Sequence, residues 1–168
     1  MKLTFLIVGL GSMGKRRIRN LRINGEEKII GFDIRFDRRK EAETKYNIQT
    51  IDDFRILSRN DYDVIIISTS PEAHGDYIRF ALKHKKHFFV EHPTNDDGYE
   101  DIFKHNHQDI IKAPSCTFLF YEPIKMIKKN LDEDAIGKIL IFQYHMGQYL
   151  PDWHPWEDYR EVYSSKKE

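Results

Sequence analysis

Short apolar runs alternate with helical patterns along the first two thirds of the chain. The runs are rich in valine, isoleucine and phenylalanine, a composition typical of strands buried on both faces of a parallel sheet. The sequence predicts five such strands, at Leu3–Val8, Lys28–Phe32, Asn47–Ile51, Val64–Ile67 and His87–Glu91.

The stretches between these strands have the spacing and start signals of helices. A polar helix is expected from about Arg38 to Tyr46, and Asp52 is placed to cap a brief one. Pro71 opens the next helix, and the last runs from about Asp96 to His105. Strands that alternate with helices predict an α/β fold with a doubly wound parallel sheet and right-handed crossovers.

The pattern changes near Pro114. An aromatic strand is predicted at Cys116–Tyr121, a helix follows, and a long strand is predicted at Ile139–Met146. We therefore expect two domains, at residues 1–115 and 116–168. Because about 50 residues are few for an independent core, the second is expected to be only the beginning of an α+β domain. Its exposed strands are expected to make the chain a homo-oligomer.

Charge and composition argue against several classes of function. The 168-residue chain has 27 basic and 27 acidic residues, which argues against binding to nucleic acid or to an anionic membrane surface. No apolar run approaches the ~18 residues of a membrane span. Cys116 is the sole cysteine, so a reducing cytoplasm is the expected location. His105 and His107 alternate on a polar stretch without a cysteine cluster, and no metal site is predicted.

Three glycines stand between the first strand and the first helix. Gly9, Gly11 and Gly14 fit Gly-x-Gly-x-x-Gly. The first glycine allows a tight turn, the second lets backbone approach a pyrophosphate, and the third lets the helix pack close to the strand. The helix N-terminus presents free N–H groups to the phosphates. The position of the motif predicts a dinucleotide site in a Rossmann-type sheet.

An acidic residue ends the second strand. Asp33 can accept hydrogen bonds from the adenosine ribose hydroxyls, which favours NAD over NADP. Arg35 and Arg38 lie close by in the sequence and could instead bind a 2′-phosphate. A third interpretation gives Asp33 only the role of capping the next helix.

Polar and glycine residues follow four of the predicted strands. Because ligands bind beyond the carboxyl ends of parallel strands, we expect Gly9–Gly14, Asp33, Ser68–Pro71 and Glu91–Pro93 to converge on one crevice.

Several motifs together resemble the Gfo/Idh/MocA family of NAD(P)-dependent oxidoreductases. They are Gly-Leu-Gly-Ser-Met-Gly after the first strand, Ser-Thr-Ser-Pro-Glu-Ala-His after the fourth, Glu-His-Pro after the fifth, and Ile-Gly-Lys-Ile-Leu from Ile136. The resemblance covers essentially the whole chain. It implies that the glycine loop cradles the pyrophosphate, that Asp33 binds the ribose, and that the loop after the fourth strand lines the nicotinamide half. The implied cofactor-binding residues are Gly9, Gly11, Ser12, Met13, Gly14, Asp33, Thr69, Ser70, His74 and Glu91.

One departure from the family concerns catalysis. Glu91 matches the glutamate of the family's Glu-Lys-Pro motif, whose lysine assists proton transfer at the substrate hydroxyl, and His92 stands at the lysine position. Histidine can act as a general acid or base, so His92 is the candidate catalytic residue. The alternative is that His92 only packs at the strand end.

Other departures lie in the second region. Phe118 and Phe120 stand where family members commonly carry asparagine and arginine, and the family's second domain supplies further active-site residues beyond this length. An aromatic segment supplies the candidate substrate residues Trp153, His154 and Trp156. It resembles members of surface-polysaccharide or acidic-sugar pathways, although it could equally be a loop that packs its aromatic side chains.

Two functions remain open from the sequence. The first is an NAD(P)-dependent oxidoreductase that moves a hydride to or from a hydroxyl-bearing carbon of a sugar or sugar derivative. The second is a catalytically inactive or truncated paralogue that binds a dinucleotide or a partner protein without turnover. A methyltransferase fits poorly, because the glycine spacing and Glu91-His92-Pro93 suit a dinucleotide better.

Overall fold

Six parallel strands form one sheet, in the order β3-β2-β1-β4-β5-β6. The strands are β1 (Phe5–Val8), β2 (Ile29–Phe32), β3 (Gln49–Ile51), β4 (Val64–Ile67), β5 (His87–Val90) and β6 (Lys112–Pro114). This computed structural model describes residues 2–92, 95–105, 109–153, 155, 158–161 and 165. The Rossmann-type α/β fold predicted from the sequence is confirmed.

Helices connect most of these strands. They are α1 (Ser12–Ile23), α2 (Phe36–Tyr46), α3 (His74–His84) and α4 (Tyr99–Lys104), followed by α5 (Glu122–Asp132) and α6 (Leu150–Trp153). Short 3₁₀ helices cover Phe54–Ile56, Pro71–Ala73 and Thr117–Phe120. The chain divides into two compact units, residues 1–116 and 117–168.

The core of the first unit lies on both faces of the sheet. Leu6, Ile65 and Ile67 are fully buried in a cluster on one face, and Ile7 and Ile18 are fully buried in a cluster on the other. Each fully buried aliphatic side chain contributes roughly 1.5–3 kcal/mol relative to an exposed one. The two-sided burial explains why these strands are apolar at consecutive positions.

Two local expectations in the first unit need correction. Asp53, rather than Asp52, caps the brief helix, because its side chain accepts a hydrogen bond from the Arg55 N–H at 2.9 Å. The sixth strand, Lys112–Pro114, was not predicted. It is three residues long and contains a proline, yet it pairs with β5 from Phe88 to Val90.

Both strands predicted in the second unit are wrong. Residues 117–120 form a 3₁₀ helix, and residues 139–146 have no regular secondary structure. The apolar side chains of Ile139, Ile141 and Phe142 are 51%, 86% and 69% exposed. No described residue of this unit is buried, so neither segment has the neighbouring strand and covered face that would stabilise it as a strand.

Within the described residues, no helix is long and apolar enough to cross a membrane.

Candidate functional site

The glycine loop between β1 and α1 packs so closely against other backbone that residues with a Cβ atom would not fit at Gly9 or Gly14. Gly9 has φ +89°, and a Cβ atom there would lie 2.6 Å from the Ser68 carbonyl oxygen. A Cβ atom at Gly14 would lie 1.9 Å from the Gly9 carbonyl oxygen. The turn after β1 therefore packs directly against α1 and against the loop after β4, which brings the N-terminus of α1 to the edge of the sheet.

The N-terminus of α1 is open to an anion. Gly11 occupies the N-cap position without a side-chain cap, and the first turn carries no acidic residue. Ser12 is exposed and Met13 is half-buried at the same turn. A Cβ atom at Gly11 would meet only the Arg38 guanidinium, at 3.6 Å. The uncapped N–H groups and the helix dipole suit a phosphate group here.

Asp33 joins the glycine loop to the end of β2. Its carboxylate is 4% exposed. One oxygen accepts a hydrogen bond from the Leu10 N–H at 2.8 Å, and the other from the Arg35 N–H at 2.9 Å. The Arg38 guanidinium lies 3.5 Å from the first oxygen. The N-cap of α2 is Arg35, so Asp33 is not the residue that caps that helix. Each of its carboxylate oxygens can accept a further hydrogen bond, for example from a ribose hydroxyl.

The loop after β4 contains unsatisfied polar atoms. The hydroxyl oxygens of Ser68 and Thr69 are buried and have no hydrogen-bond partner within the described residues, while Ser70 is exposed. Buried polar groups in folded proteins are nearly always paired. Two orphaned hydroxyls at the carboxyl end of a central strand are therefore consistent with a polar ligand in this crevice.

His74 is 1% exposed and lies under the same loop. Its Nε2 is 3.0 Å from the Thr69 carbonyl oxygen, so this nitrogen carries the proton and donates it. Nδ1 is buried without a partner among the described residues. Burial lowers the pKa of His74, although the bond to Thr69 and the charges of Glu72 and Glu91 oppose that shift. The ring is therefore held in the neutral form at neutral pH.

A buried ion pair joins α1 to the ends of β5 and β6. Arg17 meets the Glu91 carboxylate with two nitrogens, Nε on Oε1 and Nη2 on Oε2, the latter at 2.9 Å. The same Nη2 donates to the Ser115 hydroxyl at 3.1 Å, and the guanidinium lies 4.7 Å from the centre of the Phe89 ring. Glu91, 4% exposed, is thus engaged by the protein itself. Sequence reasoning missed the role of Arg17, because its partner Glu91 lies 74 positions away in the chain.

His92 follows this pair directly and is exposed. Its Nε2 lies 3.7 Å from the sulfur of Cys116. Cys116 is half-buried, and the contact between the two was not predicted.

The candidate substrate residues lie in the second unit or outside the described residues, and the two histidines His105 and His107 were not predicted to bind metal. Trp153 belongs to the second unit and is 38% exposed, while His154 and Trp156 lie outside the described residues. His105 Nδ1 lies 2.9 Å from the Asp101 carbonyl oxygen, and His107 is also outside the described residues. No group of three or more histidine, cysteine or acidic side chains able to hold a metal occurs in the described part of the chain.

The strand ends align the site residues. Gly9 N donates to Phe32 O at 2.8 Å, Ser68 N to Val8 O at 2.8 Å, and Glu91 N to Ile67 O at 3.0 Å. The carboxyl ends of β2, β1, β4 and β5 therefore lie side by side and are joined by backbone hydrogen bonds, in the order in which these strands pair. The structure brings Gly9–Gly14, Asp33, Ser68–Pro71 and residues 91–92 to one edge of the sheet, while Pro93 lies outside the described residues.

A family model described as an oxidoreductase family with an NAD-binding Rossmann fold, Gfo/Idh/MocA, matches residues 3–113. The chain belongs to this family. Members bind NAD or NADP, which agrees with the glycine loop, the uncapped helix terminus and the acidic residue after β2.

Similar proteins include enzymes with different named activities. Inositol 2-dehydrogenase of Salmonella typhimurium is 36% identical over 92 residues, covering 52% of this chain and 27% of its own length. Biliverdin reductase A of Mus musculus is 33% identical over 92 residues, covering 55% of this chain and 31% of its own length. The structure of scyllo-inositol dehydrogenase from Lactobacillus casei with bound NAD(H) and scyllo-inositol has a TM-score of 0.70 at 21% identity, covering 82% and 43% of the two chains. The chain thus spans less than half the length of these proteins.

Proposed function

We propose that the protein is an NAD(P)-dependent oxidoreductase acting on a hydroxyl-bearing carbon of a sugar or sugar-like polyol. The observation that carries this proposal is that the N-terminus of α1, which has no side-chain cap, follows a glycine loop whose Leu10 N–H donates to the Asp33 carboxylate at 2.8 Å. Phosphates and a ribose need those two groups in that order.

The protein groups divide the work of holding the dinucleotide. The N–H groups at Gly11, Ser12 and Met13 hold the pyrophosphate, and Asp33 holds the adenosine ribose. Thr69 and Ser70 line the nicotinamide half. The Thr69 hydroxyl is buried and has no hydrogen-bond partner in the part of the chain that the structure describes. A bound nicotinamide supplies or accepts the hydride, and the proton is left to this chain's own side chains.

The cofactor we favour is NAD. Two backbone N–H groups fix the Asp33 carboxylate in place, and a fixed negative charge would repel a 2′-phosphate. Arg38 lies 3.5 Å from that carboxylate, so Asp33 already neutralises part of its charge. Arg35 meets Asp37 through two nitrogens and has its own acidic partner.

His92 is the proposed general acid or base. It is exposed at the carboxyl end of β5, next to the anchored Glu91. An imidazole has an unperturbed pKa near 6.5 and can carry a proton in either direction near neutral pH. Glu91 itself is proposed to support the nicotinamide end through its ion pair with Arg17.

The substrate class is proposed from the similar proteins. Inositol dehydrogenases act on polyols, and the Lactobacillus casei enzyme binds scyllo-inositol. Trp153, His154 and Trp156 are proposed to contact the sugar. More specifically, we propose that the substrate is a sugar derivative of surface-polysaccharide metabolism.

A second candidate is a dinucleotide-binding protein without turnover. It is favoured by His92 at the position of the family lysine and by the retention of the glycine loop and Asp33. Self-association through residues 139–146 and a cytoplasmic location are further proposals, supported by the exposure of Ile141 and by the single cysteine of the sequence.

Nicotinamide fluorescence during titration with NADH and NADPH tests the proposal. We expect saturable binding, tighter for NADH, that weakens by at least about tenfold, or 1.4 kcal/mol, in Gly11→Val. Gly147→Val is the matched control, because both positions have room for a Cβ atom. Absence of binding by a folded wild-type chain would refute the proposal.

Turnover separates the two candidates. Reduction of NAD⁺ in the presence of a panel of inositols, lost in His92→Ala with cofactor binding retained, supports the oxidoreductase. Binding without turnover on any polyol or sugar in the panel favours the second candidate.

A further inference from the structure

Two chemically reactive side chains meet at the ends of neighbouring strands. β5 and β6 pair in register at Val90 and Pro114, and His92 and Cys116 each lie two residues beyond that pair. The Ser115 N–H donates to the Val90 carbonyl oxygen at 2.8 Å, which continues the ladder past β6. The 3.7 Å separation of Cys116 Sγ and His92 Nε2 thus follows from the strand register.

One guanidinium fixes both strand ends. Arg17 binds Glu91 and Ser115, the residues immediately before His92 and Cys116. Among the described residues, the charged groups at these strand ends are Glu91 and Arg17, which pair with each other. His74 is close enough for His92 to contribute to the lowering of its pKa.

We propose that Cys116 is a positioning residue and proton partner of His92. The thiol shares its proton with Nε2 and leaves Nδ1 as the nitrogen that serves the substrate oxygen. This inference rests on the proposed role of His92 in proton transfer. In the direction of carbonyl reduction, Nδ1 gives its proton to the substrate oxygen while Nε2 takes the thiol proton, which leaves a neutral imidazole and a thiolate. Alcohol oxidation reverses both transfers.

The Cys116–His92 pair could replace the proton-transfer function of the family's lysine. An isolated imidazole has an unperturbed pKa near 6.5 and is mostly deprotonated above neutral pH, whereas a thiol, near 8.5, still holds its proton there. The Cys116 thiol, 3.7 Å from Nε2, therefore gives His92 a proton partner that a lone histidine at the lysine position lacks.

Because Cys116 is the only cysteine in the sequence, thiol alkylation reports on it alone. We would measure the second-order rate of reaction with iodoacetamide from pH 5 to pH 10 in the full chain, in His92→Gln and in His87→Gln. His87 lies at the opposite end of β5 and is the matched control. Thermal unfolding of each variant checks that it is folded.

We expect the wild type and His87→Gln to share an alkylation profile that extends to lower pH than that of His92→Gln. At pH 7 the wild-type rate should exceed that of His92→Gln by about threefold or more, because a neighbouring imidazole favours the thiolate. Superimposable profiles for the wild type and His92→Gln would overturn the proposal.

Nitrogen-15 NMR of His92 gives a second readout. Cys116→Ala should change the Nε2 shift and the tautomer balance, and Cys116→Ser, which keeps a donor, should restore part of the wild-type state. Identical His92 spectra in all three proteins would contradict the pairing. The cofactor titration fails or succeeds separately from both readouts, so a failure of the proposed function is distinguishable from a failure of this pair.

Discussion

Ile66 and Ile141 carry the same side chain in opposite surroundings. Ile66 is 6% exposed in the first unit, and Ile141 is 86% exposed in the second. In the first unit, packed side chains cover both faces of the sheet. In the second unit, no described residue is buried. An apolar run becomes a strand only where the rest of its folding unit supplies neighbouring strands and side chains that cover it.

The same contrast holds for ion pairs. Arg17 with Glu91 and Arg160 with Asp158 are both two-point arginine–carboxylate contacts. The first is almost enclosed, with side chains 19% and 5% exposed, and the second is open to solvent, at 72% and 42%. Geometry alone is therefore a poor guide to the stability that an ion pair contributes.

The largest effect is expected from breaking the enclosed ion pair. Arg17→Met leaves the Glu91 carboxylate buried without its partner, and the free energy of unfolding should fall by about 3–5 kcal/mol. Arg160→Met is the matched control and should leave the unfolding midpoint unchanged. Urea denaturation measures both, and equal losses in the two variants would contradict the contrast.

Ile66→Ala should destabilise the chain by about 2–5 kcal/mol, because it removes buried methyl groups and leaves a cavity. Ile141→Ala should have no measurable effect on unfolding and should reduce self-association in light scattering, since it removes exposed apolar surface. A midpoint shift in Ile141→Ala as large as that in Ile66→Ala would show that residue 141 is packed in solution.

Gly14→Ala places a Cβ atom 1.9 Å from the Gly9 carbonyl oxygen. We expect a loss of about 1–3 kcal/mol of stability from overpacking, together with weaker NADH binding. Gly147→Ala, where no atom lies within 4 Å of the added Cβ, is the control in the second unit. Thermal unfolding of the two variants should differ, and an unchanged Gly14→Ala would mean that the loop relaxes freely.

The smallest effect concerns pH. Because burial lowers the pKa of His74, the unfolded chain binds a proton below about pH 6.5 that the folded chain does not. The free energy of unfolding should therefore fall as the pH falls below that value. His74→Gln should show a shallower fall between pH 7 and pH 5. Parallel pH profiles for wild type and variant would contradict the neutral, buried state of the ring.

The sheet could be predicted because its determinants are local. Within β1 and within β4 the apolar residues are consecutive, and the three glycines follow β1 directly, so pattern and spacing were enough. The strand at Lys112–Pro114 was not predicted, because it forms only through its pairing with Phe88–Val90, a contact between distant parts of the chain.

The site was predictable only in part, for the same reason. Asp33 and the glycine loop follow from motif spacing, whereas Arg17 and Glu91 are 74 positions apart and the contact of His92 with Cys116 spans 24. The periodicity of apolar and polar residues does not indicate contacts between residues so far apart in the chain. The segment at residues 139–146 shows the opposite error, since its apolar composition predicted a strand for which the unit has no partner.

Hydrogen exchange with and without saturating NADH tests most directly the claim that the first unit builds the cofactor site. We expect protection in peptides that contain Gly9–Gly14, Asp33 and Thr69–Ser70, and none in peptides covering residues 139–146. Protection centred on residues 139–146, or its absence from the glycine loop of a chain that binds NADH, would contradict the account.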